Sequence, residues 1–298
     1  MHSNPVLKKL GLADSDRVVI IHTDDIGMCQ ASVDAFSDLW SFGLISSGAV
    51  MVPCSWAPYA AAFAREHPEA DLGVHITLTS EWTNYRWGPI SSREAKSGMM
   101  DSEGFFPRTS AEFQDKAEPN YVRQEMAAQI ARAKAWGIVP THMDTHMGTV
   151  AHPKLMLDYV QQAMANKLPP MIFRMDKEGW KHAHRSITDE LAEAAAQMVL
   201  QLEEVGLPML DNIAGLELDA DPATRVEQAK AVLGALQAGI THFIIHPSKE
   251  TPELKAIAPD WRCRVADYQT FLREDLRQFV KESGLHVIGY RALRDLIP

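Results

Sequence analysis

Short apolar runs alternate along the chain with longer amphipathic segments. From Arg17 onward the short runs are rich in β-branched residues, which is typical of buried strands. The segments between them repeat apolar residues at three- and four-residue spacing, which is typical of amphipathic helices. The predicted strands are residues 17–22, 45–52, 72–77, 138–143, 171–174, 208–210, 242–246 and 286–290.

Residues 121–136 form the clearest predicted helix. Its apolar positions are Val122, Met126, Ile130 and Ala133. Asn120 can cap its first turn, and Gly137 can end it. The alternation of strands and helices predicts a parallel sheet, and enough such strands close into a barrel. We therefore predict an α/β fold, a distorted TIM-like (β/α) barrel with seven or eight mostly parallel strands.

The length of 298 residues suits one barrel domain that spans residues 1–298. Two segments interrupt the alternation, at about residues 79–120 and 176–186. Loops of this length in compact domains usually act as lids or binding loops. We therefore expect both segments to border the active site.

Composition and charge narrow the class of protein. Hydrophobic residues make up 46% of the chain, and no apolar run approaches the roughly 20 residues of a membrane-spanning helix. The net charge of -10, without a basic stripe, argues against nucleic acid and anionic membranes as partners. Three cysteines without metal-knuckle spacing, and an N-terminal segment without a secretory signal, favour the reducing cytoplasm.

Two adjacent carboxylates, Asp24 and Asp25, follow the first predicted strand. In barrel enzymes this end of a strand carries the active site. Like charges at this separation raise one pKa unless a cation neutralises the pair. One interpretation is a metal on one carboxylate and a proton-transfer role for the other. The alternative is a helix cap or a turn, both places that aspartate favours.

Histidines follow other predicted strands in the same way. His142, Asp144 and His146 occupy alternate positions, so an extended backbone projects all three from one face. Imidazoles with a nearby carboxylate are typical of sites for Zn²⁺ or a similar ion. His75 lies near the end of an apolar strand, and His246 closes another. Each histidine alone is equally compatible with a hydrogen-bonded core position.

Arg174 ends the predicted strand 171–174. A guanidinium at that position can hold a catalytic carboxylate in its ionised form through a bidentate contact. The alternative is a structural salt bridge.

Four motifs together resemble the YdjC-like carbohydrate deacetylases, a family related in chemistry to the polysaccharide deacetylases and built on a distorted (β/α) barrel. These motifs are Asp24-Asp25-Ile26-Gly27, Gly73-Val74-His75-Ile76-Thr77-Leu78, His142-Met143-Asp144-Thr145-His146 and His246-Pro247. They stand in the family's order and span most of the chain, which makes coincidence improbable.

The resemblance implies one divalent metal ion bound by Asp25, His75 and His146. His142 and Asp144 would support the ligating imidazoles from behind. One carboxylate and two imidazoles suit Zn²⁺ and accept Mg²⁺, and Mn²⁺, Co²⁺ and Ni²⁺ are also compatible with this set. The sequence therefore does not identify the ion.

The resemblance also implies a reaction, the hydrolysis of the N-acetyl group of an amino sugar or a short acetylated oligosaccharide. Asp24 would be the general base and His246 the general acid, and Arg174 would orient Asp24. The implied partner is a small acetylated carbohydrate. The sugar, its chain length and the oligomeric state stay open, with a homodimer among the options.

Aromatic residues in the two long segments can stack on sugar rings or simply pack the loops onto the barrel. These residues are Trp82, Trp87, Phe105 and Trp180. The chain departs from the family pattern at His22-Thr23, where Asn-Ala is usual, and at Gly148, where a further histidine commonly follows. The second departure would widen the sugar pocket or remove a hydrogen-bond donor.

Two other functions fit parts of the pattern. His22-x-Asp24 resembles the first-strand metal pair of another class of barrel hydrolases, such as an amidohydrolase or a phosphoesterase. A non-catalytic sugar-binding relative would keep the fold and use the cleft for recognition only. The intact set of acidic and histidine residues argues against this second alternative.

Overall fold

The computed structural model describes residues 2–183 and 187–297, and it confirms an α/β fold. One sheet contains all the regular strands of these ranges, and each strand runs parallel to its neighbours. The strands are β1 Arg17–Ile26, β2 Ser47–Val50, β3 Leu72–Ile76, β4 Met143–Thr145, β5 Asn212–Gly215, β6 Gly239–Ile245 and β7 Leu285–Val287.

The strands follow the order β4-β3-β2-β1-β6-β5, with β7 beside the first residues of β1. Between the outer strands β4 and β5 lies an irregular segment. Pro170 in this segment forms a single parallel bridge to Met143 of β4, and Phe173 forms another to Leu210, just before β5. The sheet is therefore curled and irregular at one side, which confirms the predicted distorted TIM-like barrel.

Two predicted strands, 171–174 and 208–210, form isolated bridges and no regular strand. Each begins at or beside a proline, which lacks the amide hydrogen that a strand ladder needs. The predicted strand 138–143 begins only at Met143 for the same reason, since Pro140 interrupts it. The apolar pattern located these segments correctly but did not define their backbone pairing.

Helices cover the sheet and close one end of it. They are α1 Pro5–Lys9, α2 Gln30–Phe42, α3 Ala57–Glu66, α4 Ser110–Lys116, α5 Pro119–Ala135, α6 Pro153–Ala165, α7 Lys177–Ala183, α8 Asp189–Glu204, α9 Arg225–Gly234, α10 Pro252–Ile257, α11 Trp261–Phe271, α12 Glu274–Glu282 and α13 Tyr290–Arg294. Within the described ranges, none is both long and apolar enough to cross a membrane. The three cysteines are buried and free.

The predicted helix 121–136 corresponds to α5. Pro119 occupies its first turn, and Glu118 rather than Asn120 stands at the capping position. Proline is favoured there because its missing amide hydrogen has no helical partner to lose. Gly137 follows the helix with a φ of 94°, a left-handed conformation typical of helix ends.

The two faces of β1 separate the core from the site. Val19 and Ile21 point outward into the large core formed with the helices. Val18 and Ile20 point into the barrel, where they pack against α1 and α13. Because side chains alternate along a strand, the next inward positions after Ile20 are those of His22 and Asp24. Apolar side chains thus fill the barrel at the amino end of β1, and polar side chains line it toward the carboxyl end.

The two long segments contain some regular structure. Residues 79–120 include a 3-10 turn, Ala95–Ser97, and helix α4. Residues 176–186 include α7, and residues 184–186 lie outside the described residues.

Candidate metal centre

The predicted carboxylates and histidines meet at the carboxyl ends of neighbouring strands. Asp24 and Asp25 lie near the end of β1, His75 near the end of β3, and His146 directly after β4. One ligand atom from each of Asp25, His75 and His146 lies within 4.8 Å of the others. We call these three residues the triad. Parallel strands bring their carboxyl ends to one edge, which explains why distant motifs converge.

Asp25 Oδ1 lies between the two histidines of the triad. It is 3.4 Å from His75 Nε2 and 3.1 Å from His146 Nδ1. Asp25 Oδ1 and His75 Nε2 are both buried without a hydrogen-bond partner among the described residues. Buried polar atoms without partners are costly, so these atoms point to a ligand. A carboxylate oxygen and two imidazole nitrogens fit a divalent ion such as Zn²⁺.

Arg264, which the sequence pattern did not predict, holds the other oxygen of Asp25. Its Nη1 donates to Asp25 Oδ2 at 2.8 Å, and the rest of the guanidinium donates to Asp260 at 2.8 and 3.0 Å. Burial raises the pKa of Asp25, but Arg264 and His146 outweigh this effect and hold it well below the ordinary value. Asp25 is therefore an anion with one oxygen facing the histidines.

Each triad histidine contacts a further carboxylate through its second ring nitrogen. His75 Nδ1 lies 2.8 Å from Asp144 Oδ1, and His146 Nε2 lies 3.1 Å from both carboxylate oxygens of Glu81. Burial lowers the pKa of His146, but Glu81 and Asp25 outweigh it and raise this pKa to about 9. The centre therefore attracts positive charge. The sequence predicted Asp144 and missed Glu81.

Asp24 lies beside the triad. Its Oδ2 is 3.9 Å from His75 Nε2 and 3.8 Å from His246 Nε2, and its Oδ1 is 3.3 Å from His22 Nε2. Burial raises the pKa of Asp24 to about 6, and His75 and His22 limit the rise. This carboxyl is therefore ionised at neutral pH and can accept a proton after a small change in its surroundings.

His246 follows β6 and faces Asp24. Its backbone amide donates to Asp267 Oδ2 at 2.9 Å, and Asp267 is in turn paired with Arg225 at 2.6 Å. Burial lowers the pKa of the His246 imidazole to about 3. The ring is therefore neutral at neutral pH. About 19% of its side chain is exposed, so it borders the open side of the centre.

A second polar layer lies beneath the triad, inside the barrel. His22 Nε2 is 3.0 Å from Asp144 Oδ2, and His242 Nδ1 is 2.8 Å from the Tyr290 hydroxyl. His142 stacks on the Tyr290 ring with a centroid distance of 3.9 Å. Burial lowers the pKa of His142 and of His242 well below the ordinary value, so both rings are neutral. A second group of closely spaced potential ligands consists of His22, Asp24, Asp144 and His242.

Comparison with known proteins identifies the chain. The YdjC-like protein family matches residues 18–282. The chain belongs to this family. A carbohydrate deacetylase of Thermus thermophilus is 32% identical to this chain, and the match covers 98% of this chain and 99% of that protein. A carbohydrate deacetylase of Thermoanaerobacter pseudethanolicus is 24% identical, and the match covers 93% of this chain and 100% of that protein. A crystal structure of a proposed cellobiose-phosphate cleavage protein of Enterococcus faecalis has a TM-score of 0.74, with 22% identity, and covers 94% of this chain and 99% of its own.

Arg174, which the sequence predicted beside Asp24, lies outside the metal centre of this YdjC-like chain. The guanidinium of Arg174 donates to Glu203 at 2.7 Å, to Asp211 at 3.0 Å and to the carbonyl of His2 at 3.2 Å. These partners lie near the start of β5 and the N-terminus, at the opposite end of the strands from Asp24. The predicted orientation of Asp24 by Arg174 is therefore wrong. It failed because 171–174 is not a regular strand, so its last residue does not reach the carboxyl edge.

His142 also lies one layer below its predicted place in the YdjC-like site. Its contacts are with Tyr290 and with the Thr141 hydroxyl, 3.0 Å from its Nδ1, rather than with the triad. Gly73 provides the room for this ring, since a Cβ at Gly73 would come within 2.4 Å of it. His142 therefore packs the barrel interior, whereas Asp144 contacts His75 directly.

The aromatic residues of the long segments divide into three places. Trp82 and Trp87 are buried and pack edge to face at 5.5 Å, and the Trp87 ring lies 6.2 Å from the ring of His146. Phe105 is half-buried, with the Arg86 guanidinium 5.2 Å from its ring. Trp180 is buried beside an apolar groove between α6 and α8. Trp82 and Trp87 thus border the centre, and the two others line different surfaces.

Gly148 of the YdjC-like chain has open space beside it. A Cβ built there meets no atom within 4 Å, and the residue has a left-handed φ of 62°. Most side chains would be strained in that conformation. The space next to its Cα is therefore open, but the turn favours glycine.

Proposed function

We propose that this chain is a metal-dependent hydrolase of linear amides, which removes the N-acetyl group from an amino sugar or a short acetylated oligosaccharide. The observation that carries the proposal is the triad of Asp25, His75 and His146 with two proton-transfer groups, Asp24 and His246, on its border. Relatives over nearly the full length of the chain are named carbohydrate deacetylases, which supports the same chemistry.

Asp25, His75 and His146 would hold the ion through one oxygen and two nitrogens. When bound, a divalent ion supplies a more acidic water and a positive charge next to the developing oxyanion. Arg264 keeps Asp25 ionised, and Asp144 and Glu81 fix the two imidazole rings.

Asp24 would take a proton from the attacking water. Its position beside the triad, with Oδ2 3.9 Å from His75 Nε2, places it within reach of a molecule held there. With a pKa of about 6, the carboxylate is basic enough to accept a proton at neutral pH and acidic enough to release it again.

His246 would deliver a proton to the departing nitrogen. Because burial lowers its pKa to about 3, the ring starts the cycle neutral and must gain a proton before it acts as an acid. Asp24 Oδ2 lies 3.8 Å from His246 Nε2, so the two side chains border the same space beside the triad. One would serve as the base and the other as the acid.

A screen for acetate release tests the proposal. Purified protein, loaded with Zn²⁺ or Mg²⁺, is incubated with N-acetylated monosaccharides and disaccharides, and acetate and free amine are measured. We expect both products in equal amounts from at least one sugar. Protein with Asp24→Asn, purified in parallel, controls for contaminating activity. Metal-loaded protein that releases no acetate from any of these sugars would point to another class of metal hydrolase.

A further inference from the structure

The two histidines of the triad are held by different parts of the fold. His75 lies within β3, and Asp144, which contacts its Nδ1, is its register partner on β4. His146 instead begins a 3-10 turn, His146–Gly148, after the last residue of β4. Met147 in this turn has a left-handed φ of 55°. The sheet therefore positions His75, whereas His146 depends on contacts made outside the sheet.

Those contacts come from the segment 79–120. Near its beginning, both carboxylate oxygens of Glu81 lie 3.1 Å from His146 Nε2, while His146 Nδ1 faces Asp25. The arrangement matches that of His75, which turns one nitrogen to Asp25 and the other to a carboxylate. Histidines that bind metals usually have such a partner, which fixes the ring and the position of its proton.

The other end of the same segment holds the turn itself. Ser110 Oγ donates to the carbonyl of Met147 at 3.1 Å and lies 2.9 Å from the hydroxyl of Thr149. Gln114 donates to the carbonyl of Thr149 at 3.0 Å. The beginning of the segment therefore contacts the side chain of His146, and its end donates hydrogen bonds to the backbone of the turn that follows His146.

Glu81 itself is held close to the triad. The carbonyl of its neighbour Trp82 accepts a hydrogen bond from Arg108 at 2.6 Å. The Trp82 ring lies 5.4 Å from the guanidinium carbon of Arg264, the same arginine that pairs with Asp25. These contacts bring Glu81 to His146 as part of a packed unit rather than as an isolated surface carboxylate. Its side chain is 20% exposed.

We propose that Glu81 is a positioning residue that fixes the His146 imidazole with Nδ1 toward the metal, so that the segment 79–120 forms part of the metal centre. The proposal rests on the proposed metal site and does not depend on which substrate the site takes. It assigns the segment a role in metal retention in addition to the lid or binding-loop role that its length predicts.

The test compares Glu81→Ala and Glu81→Gln with Glu94→Gln. Glu94 lies in the same segment, pairs with Lys96 and is 57% exposed, so it controls for loss of a charge without contact to the triad. The dissociation constant for Zn²⁺ is measured by chelator competition, without substrate. We expect Glu81→Ala to weaken binding by about 10- to 100-fold. Glu81→Gln keeps an oxygen that can accept from the ring and should lose less, and Glu94→Gln should match the wild type.

Turnover at saturating Zn²⁺ separates positioning from direct catalysis. If Glu81 acts through His146, excess ion should restore much of kcat in Glu81→Ala. A Zn²⁺ affinity of folded Glu81→Ala within about threefold of the wild type would overturn the proposal. Should that variant not fold, Glu81→Met, which fills similar space without an oxygen that can accept from the ring, takes its place, and an affinity within about threefold of the wild type would overturn the proposal equally. Wild-type protein that binds Zn²⁺ but releases no acetate would contradict the proposed function alone.

Discussion

Arg264 and Asp25 form a buried ion pair in which Nη1 donates to Oδ2 at 2.8 Å and leaves Oδ1 facing the two triad histidines. The two oxygens of one carboxylate thus have separate partners, a guanidinium and a prospective metal. The pair also explains how an aspartate that is 98% buried stays ionised, since burial alone would favour the protonated form.

Arg264→Gln should therefore destabilise the protein by about 3 to 5 kcal/mol at neutral pH, because it leaves a buried carboxylate without its charged partner. The pKa of Asp25 is lowered by folding, so the stability from its ionised form is present above the unfolded value of 3.8 and is lost as the pH falls through the lower folded value. Urea unfolding at neutral pH and in strong acid measures this. Equal loss at both pH values would contradict the ion-pair explanation.

Asp144→Asn should weaken metal binding. Asp144 Oδ1 lies 2.8 Å from His75 Nδ1, and an amide in its place can donate to that nitrogen and stabilise the wrong ring tautomer. We expect a loss of Zn²⁺ affinity of about 10- to 100-fold. Chelator competition measures the change. Unchanged affinity would show that the carboxylate does not set the tautomer of His75.

Asp24→Asn and His146→Ala should fail in different ways. The first variant keeps the triad and should retain its metal, but it should lose about 100-fold or more of kcat because the proton acceptor is gone. The second removes a ligand and should lose the metal itself. Elemental analysis and acetate release are measured on both proteins. Full activity in Asp24→Asn would remove the base assignment.

The sequence placed the members of the triad together because they share one local feature, and the family resemblance selected them from the other candidates at the same strand ends. Asp25, His75 and His146 each stand at or just beyond the end of an apolar strand, and parallel strands bring such ends together. The same reasoning placed Asp24 and His246 at the edge. This reasoning depends only on the direction of each strand and does not depend on the path of the connections between strands.

The residues that the sequence missed lack this feature. Arg264 lies on helix α11, 239 residues after its partner Asp25, and nothing in the local pattern joins the two. Glu81 lies in a long loop, where apolar periodicity gives no guide to position. An acidic residue shortly after the strand that carries His75 was the available clue. Arg174 was instead predicted at the site and lies outside it. It was assumed to end a strand, but the segment 171–174 follows a proline and forms only an isolated bridge.

Removal of the metal should lower the melting temperature, since an ion that binds only the folded chain stabilises it. The effect is about 2.7 kcal/mol when the free ion is 100 times its dissociation constant. We expect one ion per chain by elemental analysis. Two ions would contradict this count and direct attention to His22 and His242. Absence of metal together with a melting temperature that chelators leave unchanged would mean that the histidines are structural.

Arg174→Met should lower stability without changing chemistry. The arginine is 7% exposed and binds Glu203 and Asp211 near the start of β5, so its loss leaves two largely buried carboxylates without their guanidinium partner and should cost about 3 kcal/mol. The folded variant should keep the kcat and the Zn²⁺ affinity of the wild type, because none of these contacts reaches the triad. Arg264→Gln, which does alter a triad partner, is the matched control, and both are measured below their melting temperatures. A large fall in kcat in the folded variant would contradict this separation of Arg174 from the chemistry at the triad.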